Sequence, residues 1–247
     1  MLYLLESKNC ERCVYVDWDL CFYKPYDIIF DILKESTLFL TPHFRASTPQ
    51  NDARSFLATL QDGFFNAGLA GTSRLGIPAL RWWRDVNLFS CERSEKYHLF
   101  VDQRYLDFLP SLFDGVHVNA HRGINFGIWY HNPKFTVHQN DLCVDNDPIV
   151  CIHFAADAVF SIMNSDRYPP FRRWMPLKPY LTQYQSLCDK YAHLITVKKS
   201  RWQHLTESIL QKYGKTYPRL YSCYRYLEYY SPIKRFQKMR RSFRKLV

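Results

Sequence analysis

The run Val14-Tyr15-Val16-Asp17-Trp18-Asp19-Leu20 places two aspartates one residue apart at the end of an apolar segment. Read as a strand, it sends Asp17 and Asp19 off one face with Cα atoms about 6.6 Å apart, so both carboxylates can serve one divalent ion. Hard cations such as Mg²⁺ and Mn²⁺ prefer carboxylate oxygen and hold nucleotide phosphates through one or two protein carboxylates. The other reading of the tripeptide is a polar turn. Three segments downstream carry further chemistry. In Gly63-Phe64-Phe65-Asn66-Ala67-Gly68-Leu69, small residues surround a polar Asn66; such a stretch lets backbone approach a ligand, or marks a bulge or turn. In Leu99-Phe100-Val101-Asp102-Gln103, Asp102 can cap a helix, while Gln103 offers a donor and an acceptor to a hydroxylated ligand. In Ile149-Val150-Cys151-Ile152-His153-Phe154, His153 ends an apolar strand. A histidine there is either a hydrogen-bonded strand residue or, as neutral imidazole, a metal ligand.

Positioning these residues takes a sheet. Strand-like runs at Cys13–Val16, Thr37–Thr41, Gly63–Ala70, Gly115–Asn119 and Pro148–Phe154 alternate with helical patterns at Tyr26–Lys34, Leu80–Arg84 with an extension, and Asp102–Leu109. The alternation reads as an α/β fold. Asp145-Asn146-Asp147 repeats the Asp-x-Asp spacing but lies in a polar stretch before Pro148, which reads as a turn. Beyond Asp166 the texture shifts to Pro, Tyr, Trp and basic residues, with a helix from Pro179 to about Tyr191. The expected organisation is therefore a catalytic-type core over 1–166, a helical aromatic-rich extension over 167–230 and a basic tail over 231–247.

With 247 residues, 47% of them apolar, the chain can build a substantial core. No run approaches the roughly 20 apolar residues that cross a bilayer. Leu2–Leu5 is cut short by Glu6, so no signal peptide is expected and the chain reads as cytoplasmic. Eight irregularly spaced cysteines then read as reduced thiols, and Cys10-x-x-Cys13 lacks the second pair that a zinc site needs. The net charge is +10, and seven of those charges fall in Ser231–Val247, leaving +3 for residues 1–230. Ile233, Phe236, Phe243 and Leu246 recur there at near-helical spacing among the basic residues. A basic amphipathic helix of this kind suits an anionic membrane surface, on the inner face of the plasma membrane, the other reading being a solvated tail. Six tyrosines between Tyr217 and Tyr230 suit an interface as well. No nucleic-acid motif accompanies the charge, so no nucleic-acid partner is expected.

Taken in order, Tyr15 to Tyr23, Thr41-Pro42-His43, Phe65-Asn66-Ala67-Gly68, Leu80-Arg81-Trp82-Trp83, Val101-Asp102-Gln103, Gly123-Ile124-Asn125 and Ile152-His153-Phe154 resemble the bacterial sugar-nucleotide glycosyltransferases of the GT-A fold, near the retaining family 8. The resemblance covers roughly residues 10–165. It implies a GT-A-like core that moves a sugar from a nucleotide-sugar, a UDP-sugar in these relatives, to a glycan or lipid-linked acceptor of a cell-surface polysaccharide. It implies that Asp17, Asp19 and His153 hold Mn²⁺ or Mg²⁺. Asn66, Ala67, Asp102 and Gln103 would face the donor sugar, with Asp102 and Gln103 at the reacting centre. His43, Trp82, Trp83 and Asn125 are expected toward the acceptor, the other reading being core packing of a helix for the two tryptophans and a structural strand-end histidine for His43. Two departures stand out. Ala155-Ala156-Asp157 follows Phe154 where the family often has glycine, and only a short stretch precedes Asp17 where relatives carry the elements that bind uracil and ribose. The second departure sets the expectation of a chain truncated at its amino end. The rival reading is a catalytically inactive remnant or binding protein of the same fold.

Overall fold

The structure, a computed structural model, describes residues 1–94 and 96–194. A short helix, Leu2–Ser7 (α1), leads into strands Arg12–Val16 (β1) and Leu20–Phe22 (β2), helix Asp27–Glu35 (α2), strand Leu38–Pro42 (β3), helix Pro49–Asp62 (α3), strand Phe65–Ser73 (β4) and helix Ile77–Phe89 (α4). A two-residue pair, Arg93–Ser94 (β5) and Leu99–Phe100 (β6), precedes a 3₁₀ stretch over Gln103–Phe108 and a helical turn, Leu109–Leu112 (α5). Strands Val116–Val118 (β7), Phe135–His138 (β8), Asp141–Val144 (β9), Asp147–Pro148 (β10) and Cys151–His153 (β11) come next.

The main sheet has the order β1-β4-β3-β7, with β4 antiparallel to both neighbours and β3 parallel to β7. Every residue of β3 is buried, as expected of a strand covered on both faces. Phe39 points with Leu69 toward Ile29 and Leu33 of α2. Leu38 and Leu40 point the other way, to Ala79 of α4 and to Leu106 and Leu109. The apolar spacing Ile29–Leu33 is thus the core stripe of α2, whose Asp27 and Lys34 also sit at the ends that the helix dipole favours. The second sheet is the antiparallel pair β2–β11. A third, β10-β9-β8, hangs on tight turns whose residues Gln139, Asn140, Asp145 and Asn146 take positive φ. The second Asp-x-Asp therefore supplies both residues of a two-residue hairpin turn, Asp145 and Asn146, in the geometry that Asn and Asp tolerate best.

The fold is mixed α/β, and each of the five expected strand runs contains a strand. The chain divides into two compact units, Met1–Phe154 and Ala155–Val247, so the boundary falls earlier than the change of texture at residue 167. The reason is the helix Ala156–Met163 (α6), which packs with the 3₁₀ stretch Pro169–Leu177 and the helix Lys178–Tyr191 (α7), Phe160 meeting Phe171 edge to face. Among the described residues no helix is long and apolar enough to cross a membrane. The tyrosine-rich stretch 217–230 and the basic tail 231–247 lie outside the described residues.

Candidate metal centre

Asp17-Trp18-Asp19 is not a strand end. It is the turn between β1 and β2, closed by Leu20 N–H on the Asp17 carbonyl at 3.2 Å. The same-face argument from strand alternation therefore does not apply, and the two carboxylates meet for another reason. Asp17 continues the β1–β4 ladder through its N–H on the Gly68 carbonyl at 2.8 Å. Asp19 continues the β2–β11 ladder by accepting Phe154 N–H at 2.7 Å. The turn bridges two sheets, and Leu20 opposite His153 in register brings the imidazole to the same spot.

His153 Nε2 lies 3.1 Å from Asp19 Oδ1 and 3.8 Å from Asp17 Oδ2. Asp17, Asp19 and His153 each offer a ligand atom within 4.8 Å of the others, and Asp19 and His153 are buried. Two ligands about 2.1 Å from one ion stand about 3.0 Å apart at a right angle and at most about 4.2 Å apart. The set is therefore within a small side-chain adjustment of closing on a cation, the less buried Asp17 having the freedom to supply it. Two carboxylate oxygens and an imidazole nitrogen form a donor set that could hold a divalent cation. Tyr15 steadies Asp17, its hydroxyl donating to Oδ1 at 2.6 Å, and that bond pushes the Tyr15 pKa up to about 12. Trp18 stands 79% exposed between the two aspartates.

Behind this cluster lies a buried polar net. β4 carries Ala67, Gly68 and Leu69 without partners in β3, because the register jumps from Leu40 opposite Ala70 to Thr41 opposite Asn66. Such bulges re-aim side chains, and this one turns Asn66 to Asn125 and Gly68 to His153. A Cβ on Gly68 would meet His153 Cε1 at 2.4 Å, so only glycine leaves room for the ring. Asn66 Oδ1 accepts from Gly68 N–H and from Asn125 Nδ2, each at 2.9 Å. Asn125 Nδ2 also donates to Thr41 Oγ1 at 2.7 Å, and Asn125 Oδ1 meets His153 Nδ1 at 3.2 Å. Asn125 is fully buried in a left-handed backbone conformation with φ 57°. That places it behind the site rather than on an acceptor-facing wall, a correction to its expected role.

The other expected residues divide in the same way. His43, also expected toward the acceptor, is buried with Nδ1 on the carbonyls of Gly63 and Phe64 and Nε2 against Asn66 Nδ2. Burial, helped by the nearby Arg45 charge, pushes its pKa down to about 3. It supports Asn66 from inside. Gln103 sits beside Asn66 and Ala67, and both ends of its side chain are engaged. Oε1 accepts from Ala67 N–H at 3.1 Å and Asn66 Nδ2 at 3.4 Å, while Nε2 donates to the Asp62 carbonyl at 2.8 Å. In this conformation Gln103 holds the bulge. Asp102 stands at the N-cap of the 3₁₀ stretch without a capping side-chain bond, and its carbonyl accepts from Trp83 Nε1 at 2.9 Å. Burial raises the Asp102 pKa and the Asp17 charge pushes the same way. Trp83 and Asp102 line one cleft of about 630 Å³ together with Leu2, Tyr3, Leu80 and Val101. Trp82 instead packs on Phe108 and Phe113, because adjacent helix positions face different ways, so it belongs to the packing between α4 and the 3₁₀ stretch. Thr41 and Trp129 were not legible as site residues. Trp129 wedges edge to face against both His43 and His153, and only its place in the fold reveals this.

No protein-family model matches the chain. Two proteins of Bacillus subtilis strain 168, both described as uncharacterized, are similar to it. YfnF is 28% identical over 169 residues, 64% of this chain and 54% of YfnF. YfnD is 28% identical over 153 residues, 60% of this chain and 47% of YfnD. The chain thus spans about half the length of the curated relatives it matches.

Proposed function

We propose that this chain is a metal-dependent glycosyltransferase of GT-A type that moves a sugar from a nucleotide-sugar, a UDP-sugar by family resemblance, to a lipid-linked or cell-surface polysaccharide acceptor. The observation that carries the reading is the convergence of Asp17, Asp19 and His153 from two sheets onto one spot, with ligand atoms within 4.8 Å. A divalent cation held there supplies Lewis acidity to a departing nucleoside diphosphate, whose charge grows as the sugar leaves. The protein's own part is preorganisation. Tyr15 fixes one Asp17 oxygen and leaves the other free, and the Asn66–Asn125 net fixes the His153 ring. Asp102, its carboxyl pKa raised by burial, is suited to hydrogen-bond a sugar hydroxyl beside the cleft that Trp83 lines. The Ala67 N–H and Gln103 amide shape the adjoining wall. The basic residues of 231–247 would hold the enzyme at an anionic membrane surface near a lipid-linked acceptor.

The test is release of UDP from a panel of UDP-sugars by purified protein with Mn²⁺, with and without lipid-linked glycan. Metal-dependent release that EDTA abolishes supports the reading. UDP binding without any release from the panel would favour a sugar-nucleotide-binding protein of the same fold.

A further inference from the structure

His153 has two ring nitrogens, and only Nε2 faces the carboxylates. We infer that Asn125 and Thr41 are positioning residues that keep a proton on His153 Nδ1, so that the ring can offer a cation only its Nε2 lone pair. The consequence for a cation rests on the reading above, whereas the placement of the proton does not.

Two backbone groups of β4 anchor the net, because their polarity cannot reverse. Gly68 N–H can only donate, and it meets the Asn66 side chain at 2.9 Å, which makes that atom Oδ1. The same oxygen lies 2.9 Å from the Asn125 side chain and needs a donor there, namely Nδ2. A second route reaches the same end. The Leu69 carbonyl can only accept, so the Thr41 hydroxyl spends its one proton on it at 2.9 Å. The 2.7 Å contact between Thr41 and Asn125 must then have Thr41 accepting, again from Nδ2. Both routes turn Asn125 Oδ1 to His153 Nδ1 at 3.2 Å, and an amide oxygen there favours hydrogen on Nδ1, against the pull of Asp19 Oδ1 on the same proton at 3.1 Å from Nε2. The opposite tautomer would set two lone pairs against each other where no water reaches, since Asn125 is 0% exposed. His43 closes the net consistently: with Nδ1 on two carbonyls, its Nε2 is the acceptor that Asn66 Nδ2 needs. Metal-binding histidines commonly have the far nitrogen fixed in this way by a carbonyl oxygen.

The experiment is long-range ¹H–¹⁵N correlation NMR of ¹⁵N-histidine-labelled, metal-free protein at neutral and mildly alkaline pH, with His153 assigned through His153→Gln. The expected spectrum shows Nδ1 at a protonated shift throughout, and Mg²⁺ moving chiefly Nε2. In Asn125→Gly, which accepts the positive φ freely, the neutral ring should move to Nε2–H, donating to Asp19. Its Mn²⁺ affinity should fall about 10- to 100-fold. Asn125→Asp keeps an acceptor at Nδ1 and should keep the wild-type tautomer. A bare Nδ1 in the wild type, or Nδ1–H persisting in Asn125→Gly, would overturn the inference. The wild-type spectrum decides even if Asn125→Gly does not fold. Protonated Nδ1 with no response to Mg²⁺ or Mn²⁺ would sink the cation site and leave the tautomer assignment standing.

Discussion

His43 is a buried imidazole with every nitrogen committed, and that has a cost as acid is added. Its pKa is pushed by burial from 6.5 down to about 3. As pH falls below 6.5 the unfolded chain takes up a proton that the folded chain refuses, so stability is full above 6.5 and is lost progressively toward 3. The slope is about 1.4 kcal/mol per pH unit, or about 2 kcal/mol between pH 7 and pH 5. Urea unfolding at those two pH values should show that loss in the wild type and less of it in His43→Gln. Equal losses in both proteins would mean that His43 is not held neutral. At this scale the sequence was informative about residue type and less so about direction. Asp17, Asp19 and His153 could be named from oxygen and imidazole chemistry. That Asn125 and His43 turn inward could not, because a polar side chain next to apolar neighbours reads the same whether it faces a ligand or a buried partner. What the Gln103 amide binds likewise depends on Asp62 and Ala67, both distant from it in the chain.

At the scale of elements, the candidate metal centre depends on a turn and a bulge more than on strand alternation. The β4 bulge presents Gly68 to His153 with no space for a side chain. Gly68→Ala should therefore destabilise the protein by about 1–3 kcal/mol through overpacking and displace the His153 ring. Urea melts and a Mn²⁺ titration followed by electron paramagnetic resonance would check both effects. Wild-type Mn²⁺ affinity in Gly68→Ala would show that His153 is not needed by the ion. The strands of the main sheet were legible because β3 and β4 are almost wholly buried and read as apolar runs. The α3 helix was not, since it buries no residue and so carries no stripe. The β8 strand was missed for the same reason, being mostly exposed. Of the two readings the Asp-x-Asp tripeptide allows, the structure shows the turn, and Val14-Tyr15-Val16 gives no sign in the sequence of where the ladder stops.

For the molecule as a whole, the candidate metal centre lies within the first compact unit, Met1–Phe154. Deleting Ser231–Val247 should leave that unit folded and remove seven positive charges. Binding to anionic vesicles should drop on deletion. In the full chain it should weaken as the Debye length shrinks from about 8 Å at 0.15 M salt to about 3 Å at 1 M. Equal sedimentation of both proteins with anionic vesicles would rule out the tail as the membrane contact. The tail was legible only as charge and spacing. The boundary between units was placed late because α6 resembles the core in composition while packing with α7 and the 3₁₀ stretch before it. The cation site and the diphosphate it would serve are tested most directly by isothermal titration of UDP into wild type and Asp19→Asn, with Mn²⁺ and with EDTA. The expected result is UDP binding by the wild type only when Mn²⁺ is present, and none by a folded Asp19→Asn under either condition. Binding by the wild type that is equally tight in EDTA, or no binding by well-folded wild type with Mn²⁺, would contradict it.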